Sequence, residues 1–313
     1  MAVFVVRRLA QGAATLVIVS VILFLMAHAL PGGPLSLYVH NARTTPLQLA
    51  RLRRTMGLNA PLWRQYLAWI SQVVRGRLGY SLFYGQTVGF MIWSHVGATL
   101  ELMGSAFVVS ALWAVLVGVI GAVAEQSVLD HLITVTSYFG MSLPAFWLGL
   151  MLAVVFAADL NWFPASGMGS GGIGTVIGHL VLPVATLSIY TVAQESRYVR
   201  SSMVEVLRTD YVRTAFAKGA GLTRVIVRHA LRNALLPVIT VWAFDLGYLL
   251  SGTVVVESIF AWPGLGRLFF DVISDRDYPV MLGMATLVAV CIVLVNIVAD
   301  VAYALSDPRV HFE

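Results

Sequence analysis

Charge is what this chain has least of. Only 11% of its 313 residues are Asp, Glu, Lys or Arg, and 59% are hydrophobic. An ordinary soluble domain carries about 25% charged residues, so a water-soluble globule is excluded and the length divides into membrane spans. Lysine is represented by Lys218 alone, preceded by Ala217. A phosphate-cradling P-loop requires Gly-Lys-Ser/Thr, so hydrolysis of ATP by that route is excluded in this chain. Cys291 is the single cysteine, which excludes an internal disulfide. The sequence has no H-E-x-x-H and no G-x-S-x-G, and its histidines (28, 40, 95, 131, 179, 229 and 311) include no pair at metal-ligand spacing. Neither a metal site nor a catalytic residue is expected. Gly167, Gly169 and Gly172 fit G-x-G-x-x-G. A dinucleotide site needs that pattern between a strand and a helix, and here it joins two apolar runs, so it reads as a loop.

What is present is apolar sequence in long runs. A helix needs about 20 apolar residues to cross the hydrocarbon core. Six runs qualify: Leu9–Leu30, Ala98–Ala124, Leu132–Ala157, Val176–Val199, Leu235–Val256 and Pro279–Leu305. In lipid the backbone must satisfy its own hydrogen bonds, which makes these runs helices. Arg7 and Arg8 followed by an apolar stretch and Ala27-His28-Ala29 have the outline of a signal peptide. The run is longer than the roughly 7–15 residues of a signal-peptide apolar region, so it reads as a span.

Lys and Arg in short loops set orientation. With the N-terminus inside, the inner side carries Arg7, Arg8, Arg197, Arg200, Arg208, Arg213, Lys218, Arg224, Arg228, Arg232 and Arg309, against Arg267 and Arg276 in the last short outer loop. The segment Pro31–Gly97 holds seven arginines and no Asp or Glu, but long segments translocate largely regardless of charge. It reads as an extracytoplasmic lobe, either a lid or a docking surface for an acidic partner, with Trp63, Tyr66, Trp69 and Trp93 available for a core or headgroup contact. The expected fold is an all-α membrane protein with six transmembrane helices and both termini cytoplasmic. Its parts are a first helix over 1–30, the lobe over 31–97, and a five-helix core over 98–313 with a cytoplasmic loop over 200–234.

That loop is the only long inner one. From Arg197 to Arg232 it holds eight Lys/Arg against Glu205 and Asp210. Thr209 or Asp210 can start a short helix ending near Lys218, with Gly219 after it, and Thr223 can start a second running through Asn233. By itself such a loop is either a positive anchor on anionic lipid or a working part; nucleic-acid binding does not suit a loop held to the membrane at both ends.

The stretch Asp210-Tyr-Val-Arg-Thr-Ala-Phe-Ala-Lys-Gly219, continued by Arg228-His-Ala-Leu-Arg-Asn-Ala-Leu-Leu-Pro237, resembles the cytoplasmic signature loop of ABC-importer permeases, and within them the inner-membrane permeases of dipeptide, oligopeptide and nickel importers. Leu78-Gly-Tyr-Ser81, Ser142-Leu-Pro-Ala-Phe-Trp-Leu-Gly149, Trp162-Phe-Pro-Ala-Ser-Gly167, Glu257-Ser-Ile-Phe260, Trp262-Pro-Gly-Leu-Gly266, Arg276-Asp-Tyr-Pro279 and Asp307-Pro-Arg309 extend the resemblance along nearly the whole chain. The general signature has Glu-Ala-Ala where this chain has Arg213, Thr214 and Ala215, and Arg232 stands where many sugar and amino-acid permeases have proline. The resemblance implies a bacterial plasma-membrane permease that pairs with a second, similar permease. It implies two ATPase subunits that bind ATP and magnesium, and an extracytoplasmic substrate-binding protein. This chain itself would be no enzyme and hold no cofactor. The loop, through Asp210, Arg213, Thr214, Ala215, Phe216, Lys218, Gly219 and Gly221, would dock into the ATPase and pass on its closure. Di- or oligopeptides are the implied cargo, with nickel, glutathione or oligosaccharide as alternatives.

Charges inside spans are functional candidates by default. Asp245 is the deepest, either facing a substrate amine or capping a neighbouring Ser or Thr, and Glu195 and Glu101 complete the path candidates. Glu257 and Asp300 lie near span ends, where local pairing suffices. For the binding protein the outer candidates are Trp262, Asp271, Asp275 and Asp277. An ion-coupled secondary transporter is the competing class; it predicts mid-membrane coupling charges and an internal repeat, and no repeat is visible.

Overall fold

The computed structural model describes residues 2–29, 35, 45–55, 57–81 and 83–306; the side chains of residues 2, 3, 5, 52, 243–252 and 298–306 lie outside that description. In chain order the helices are α1 (Ala2–Ala29), α2 (Pro46–Thr55), α3 (Leu62–Val74), α4 (Val88–Val123), α5 (Val128–Ser142), α6 (Ala145–Leu152), α7 (Ile173–Leu207), α8 (Asp210–Ala217), α9 (Leu222–Arg224), α10 (Leu231–Ile259), α11 (Leu265–Ser274) and α12 (Tyr278–Ser306). A two-stranded antiparallel hairpin, β1 (Tyr80–Ser81) with β2 (Gln86–Thr87), precedes α4. Among the described residues, five helices are long and apolar enough to cross a membrane, or six if α5 and α6 are taken as one bent span.

The bend falls inside the expected span Leu132–Ala157, which holds Pro144. α5 and its continuation through α6 meet at 100°. The cause is local: Leu143 precedes Pro144 and is extended, at φ −83° and ψ 124°. A proline ring crowds the residue before it out of helical geometry. Pro183, by contrast, stays inside α7.

Residues 1–97 with 264–313 form one compact unit, and residues 98–263 form another. Residues 264–313, expected with the core over 98–313, fall in the first unit. Amphipathic α11 explains this. Leu268 and Val272 are buried together with Val88, Met91 and Ile92 of α4 and with Val280 and Met284 of α12. α12 also packs along α1. A β-carbon on Gly12 of α1 would stand 2.9 Å from Val293 Cγ1. The lobe also ends earlier than Gly97, because residues 88–97 are already the first turns of α4. Its helix α3 leans on the end of α1: Tyr66 shares a 2.9 Å hydrogen bond with Ser20, and His28 one of 3.1 Å with Gln65. Phe24, Tyr66 and Trp69 cluster there, with ring centroids 5.6 to 6.1 Å apart, while Trp63 and Trp93 remain exposed.

In the second unit one cluster gathers Ala98, Leu102, Leu182, Leu187, Val256, Phe260 and Trp262. Another gathers Ala122, Val199, Met203, Ala230, Ala234 and Val238 at the opposite ends of the same helices. α4 and α7 cross closely: a β-carbon on Gly118 would lie 2.6 Å from Val199 Cβ and 2.7 Å from Ser196 O, and one on Gly121 would lie 3.2 Å from Arg200 Cδ. Small residues allow such approach between membrane helices, where packing replaces the hydrophobic effect as the driving force. The glycine loop before α7 is tied down, since Gly167 N–H donates to Phe260 O at 2.8 Å.

Substituting Gly118→Val is expected to destabilise the protein by about 1–3 kcal/mol through overpacking, read as a lower thermal midpoint in detergent. Gly104→Val, with open space around its position, should leave the midpoint in place; equal midpoints for the two variants would refute the close crossing.

Candidate functional site

The segment between α7 and α10 is built as a short stiff lever. α7 runs past the apolar stretch to Leu207, where Thr209 becomes the N-cap of α8 in extended geometry and its hydroxyl donates to Val206 O at 2.6 Å. α8 ends in two paired bonds, Ala220 N–H to Ala215 O (3.2 Å) and Gly219 N–H to Phe216 O (2.9 Å). This is the Schellman ending, in which the residue after the cap is left-handed. Gly219 fills that place at φ +83°, where a residue with a β-carbon pays about 1–2 kcal/mol. Gly221 does not take part in this turn. Its φ is −68°, which any residue adopts, and it caps the next helix, which starts at Leu222, one residue before Thr223. That helix does not stop at Asn233. It passes through a wide π-type turn over Val225–Ala230 and continues as α10.

One side of α8 is held down and the other is free. Val212 is fully buried. Asn233 donates to the Tyr211 hydroxyl at 2.8 Å, and that hydroxyl reaches His229 O at 3.4 Å. Asp210 and Arg213 form a 3.4 Å pair in open solvent, with side-chain exposures of 96% and 72%. Phe216 is 43% exposed. Thr214 closes onto Asp210 O at 2.8 Å. Tyr211, Thr214, Ala215, Lys218, Gly219 and Arg224 are among the residues lining a concavity of about 530 Å³. Of the predicted loop residues, Thr214, Ala215, Lys218 and Gly219 line this concavity, and Asp210, Arg213, Phe216 and Gly221 do not.

Under this lever the ends of α4, α5 and α7 are bolted by charge. Arg200 grips Asp130 with both Nε and Nη2, each bond 2.6 Å. Arg208 holds Glu125 at 2.8 Å, and Ser202 donates to Ala234 O at 2.8 Å. Asp130 also accepts from Gln126 N–H at 2.9 Å, and Ser127 caps α5 by accepting from Asp130 N–H. Sequence reasoning missed Asp130. The spacing Ser127-x-x-Asp130 was a legible helix start, but nothing in it pointed to Arg200.

Two family models match the chain: the binding-protein-dependent transport system inner membrane component over residues 114–312, and the N-terminal membrane component of the same system over residues 1–102. The chain belongs to this family of importer permeases. It is 38% identical to the oligopeptide transport system permease protein AppB of Bacillus subtilis, with 100% of each chain covered. It is 37% identical to the di/tripeptide transport system permease protein DppB of Pseudomonas aeruginosa, with 99% of each covered. In fold it is similar to a chain of the MetNI methionine ABC transporter in an inward-facing conformation, at a TM-score of 0.57 and 16% identity, covering 70% of this chain and 97% of that one. The permease is thus a multi-pass inner-membrane component.

The outer candidates separate into surface and interior. Trp262, expected as a docking residue, lies in the interior. It is fully buried, its indole N–H donates to Ala98 O at 2.8 Å, and its backbone N–H closes onto Glu257 O after Ala261 turns the chain at φ +49°. Asp277 is likewise buried, accepting from the Ser81 hydroxyl and capping the start of α12 through Val280 N–H at 3.4 Å. Asp275 is half-buried and accepts from the Tyr84 hydroxyl, while Asp271 is partly exposed beside Arg267 at 3.8 Å. Burial, and then the Asp275 carboxylate, push the Tyr84 phenol well above its ordinary range, so it stays a donor. Of the path candidates, Glu195 is buried in α7 at 1% exposure and Glu101 is half-buried on α4. The side chains of Asp245 and Asp300 lie outside the described residues. Glu257 is buried and accepts from the Thr99 hydroxyl at 2.7 Å, the local pairing expected for it.

Burial also lifts the Asp277 carboxyl above its usual range, with Asp275 adding to the rise and Ser81 and Val280 opposing it. The folded state therefore holds this proton where the unfolded chain, with a pKa near 3.9, has lost it. Stability falls as pH rises through that interval. Asp277→Asn should flatten this part of the slope of thermal midpoint against pH; an unaltered slope would show that Asp277 does not carry it.

Proposed function

We propose that the permease is the membrane subunit of an ATP-driven importer that carries di- and oligopeptides into the cytoplasm, and that α8 is the element on which a separate ATPase acts. One observation carries this reading: α8 is a short, end-locked helix between two long ones, anchored through Val212 and Tyr211 and leaving Arg213, Phe216 and the Ala215–Gly219 concavity open to a partner. Full-length similarity to permeases named for oligopeptides and di/tripeptides supports the cargo.

The N-terminus and C-terminus face the cytoplasm in this reading, as the excess of Arg and Lys on that side requires. Six spans result when α5 and α6 count as one. A second permease of similar build completes the path, two ATPases carry ATP with its magnesium, and a binding protein delivers cargo from outside. Asp271 and Asp275, near the outer surface, remain docking candidates; Glu195, Glu101 and Asp245 remain candidates along the path. ATP closes the ATPase pair and thereby shifts a two-state equilibrium between inward-open and outward-open bundles. It can do so only by its differential affinity for the two states, and a stiff α8 conveys that bias without absorbing it.

Gly219→Pro and Ala215→Asp should leave the permease inserted and assembled while lowering peptide uptake per ATP hydrolysed about ten-fold, which corresponds to about 1.4 kcal/mol of lost coupling. Measured in vesicles reconstituted with all partner chains and a labelled dipeptide, unchanged uptake per ATP would sink the coupling role. Uptake of nickel ions with no uptake of peptide would sink the cargo.

A further inference from the structure

A cavity of about 480 Å³ opens between α5 and α7, and its lining includes Thr134, Tyr138, Gln194, Arg197, Arg200 and Ser201 with no Asp or Glu. Arg200 is already committed to Asp130. Arg197 is exposed and, among the described residues, pairs with no carboxylate. Its guanidinium lies over the Tyr138 ring at 4.5 Å from the centroid, and its Nη1 stands 3.7 Å from Met141 Sδ. An aromatic face and a thioether orient a guanidinium while leaving its charge and most of its donors unspent.

Depth and surroundings narrow the ligand. α7 is 35 residues long, about 52 Å at 1.5 Å per residue, so it outruns a hydrocarbon core of about 30 Å. Arg197 stands where its apolar stretch, Val176–Val199, gives out. That is headgroup level, on the cytoplasmic side in the orientation proposed above, on which this step rests. The neighbouring face of α5 is apolar and open: Leu132, Val135 and Phe139, spaced at three and four residues, are 57%, 65% and 67% exposed. A phosphodiester matches the guanidinium and the hydroxyl and amide donors, and the apolar stripe suits an acyl chain. Free phosphate would leave the stripe unused. A zwitterionic headgroup would bring an amine to a site with no carboxylate lining it.

We propose that this cavity is a binding site for one anionic phospholipid of the inner leaflet, held at its phosphate by Arg197, with Gln194, Ser201 and Thr134 around it and its tail along α5. Basic pockets between membrane helices are suited to such headgroups.

The test uses the whole transporter with its partner chains, in nanodiscs of phosphatidylglycerol and phosphatidylcholine in equal amounts, with retained lipid read by native mass spectrometry. Phosphatidylglycerol should be enriched over phosphatidylcholine. Arg197→Gln should lower that enrichment about five-fold, in line with roughly 1 kcal/mol per basic residue near an anionic surface, Arg197→Lys should keep most of it, and Arg228→Gln should leave it unchanged. Equal enrichment in the wild type and Arg197→Gln overturns the site, as does displacement of the lipid by excess inorganic phosphate, which would assign the cavity to a free anion. Co-purification of the partner chains shows that each variant is folded. Retention is read without transport. Loss of peptide uptake with enrichment intact therefore counts against the import reading alone, and normal uptake with no enrichment counts against the lipid site alone.

Discussion

Hydrocarbon offers no hydrogen bonds and little tolerance for charge, and the arrangement of this permease follows from where each polar group finds a partner. The clearest case is Arg200 with Asp130. Two 2.6 Å bonds join the last turns of α7, just past its apolar stretch, to the start of α5. They lie beside Gly121, whose missing side chain lets the Arg200 stem pass along α4. Removing Arg200 would strand the buried Asp130 carboxylate, and such pairs fix geometry more than they add stability. Thr99 with Glu257 and Trp262 with the Ala98 carbonyl play the same part at the other end of the second unit.

The lever at α8 is stiff for a related reason. Outside the apolar stretch water competes for every backbone group, and a short helix alone is marginal. α8 persists because its last carbonyls are closed by the Gly219 turn, its buried side is a single valine, and its tyrosine is tied to the following helix through Asn233. What remains exposed includes Phe216 and the Asp210–Arg213 pair. In the proposed coupling role, a stiff α8 would pass displacement to the long helices, since packed bundles switch between arrangements more readily than they deform.

Around the turn between α11 and α12, acidity is used for construction. Asp277 caps α12 and receives Ser81 from the hairpin, and Asp275 receives Tyr84, so the hairpin and the α11–α12 turn become one body. Ser81 and Asp277 are 196 residues apart in sequence. The turn between them and α12 places Arg276 in left-handed geometry at φ +54°, a strain that surrounding contacts must over-determine.

Much of this was legible in one dimension because the membrane imposes a length and a polarity on every span. The number of apolar runs, the short helix at Asp210, the left-handed need at Gly219 and the loop's basic character are local properties, and backbone chemistry settles them without reference to distant residues. The break before Pro144 was equally local, although its 100° angle depends on what α6 packs against. Pairing was not legible. Nothing near Asp130 indicates Arg200, nothing near Asp277 indicates Ser81, and an aromatic at Trp262 looks the same whether it greets a partner or fills a core. Those outcomes are decided by which helix faces meet, a long-range property set by small residues such as Gly118 and Gly283 that let helices close and bring remote groups within bonding distance.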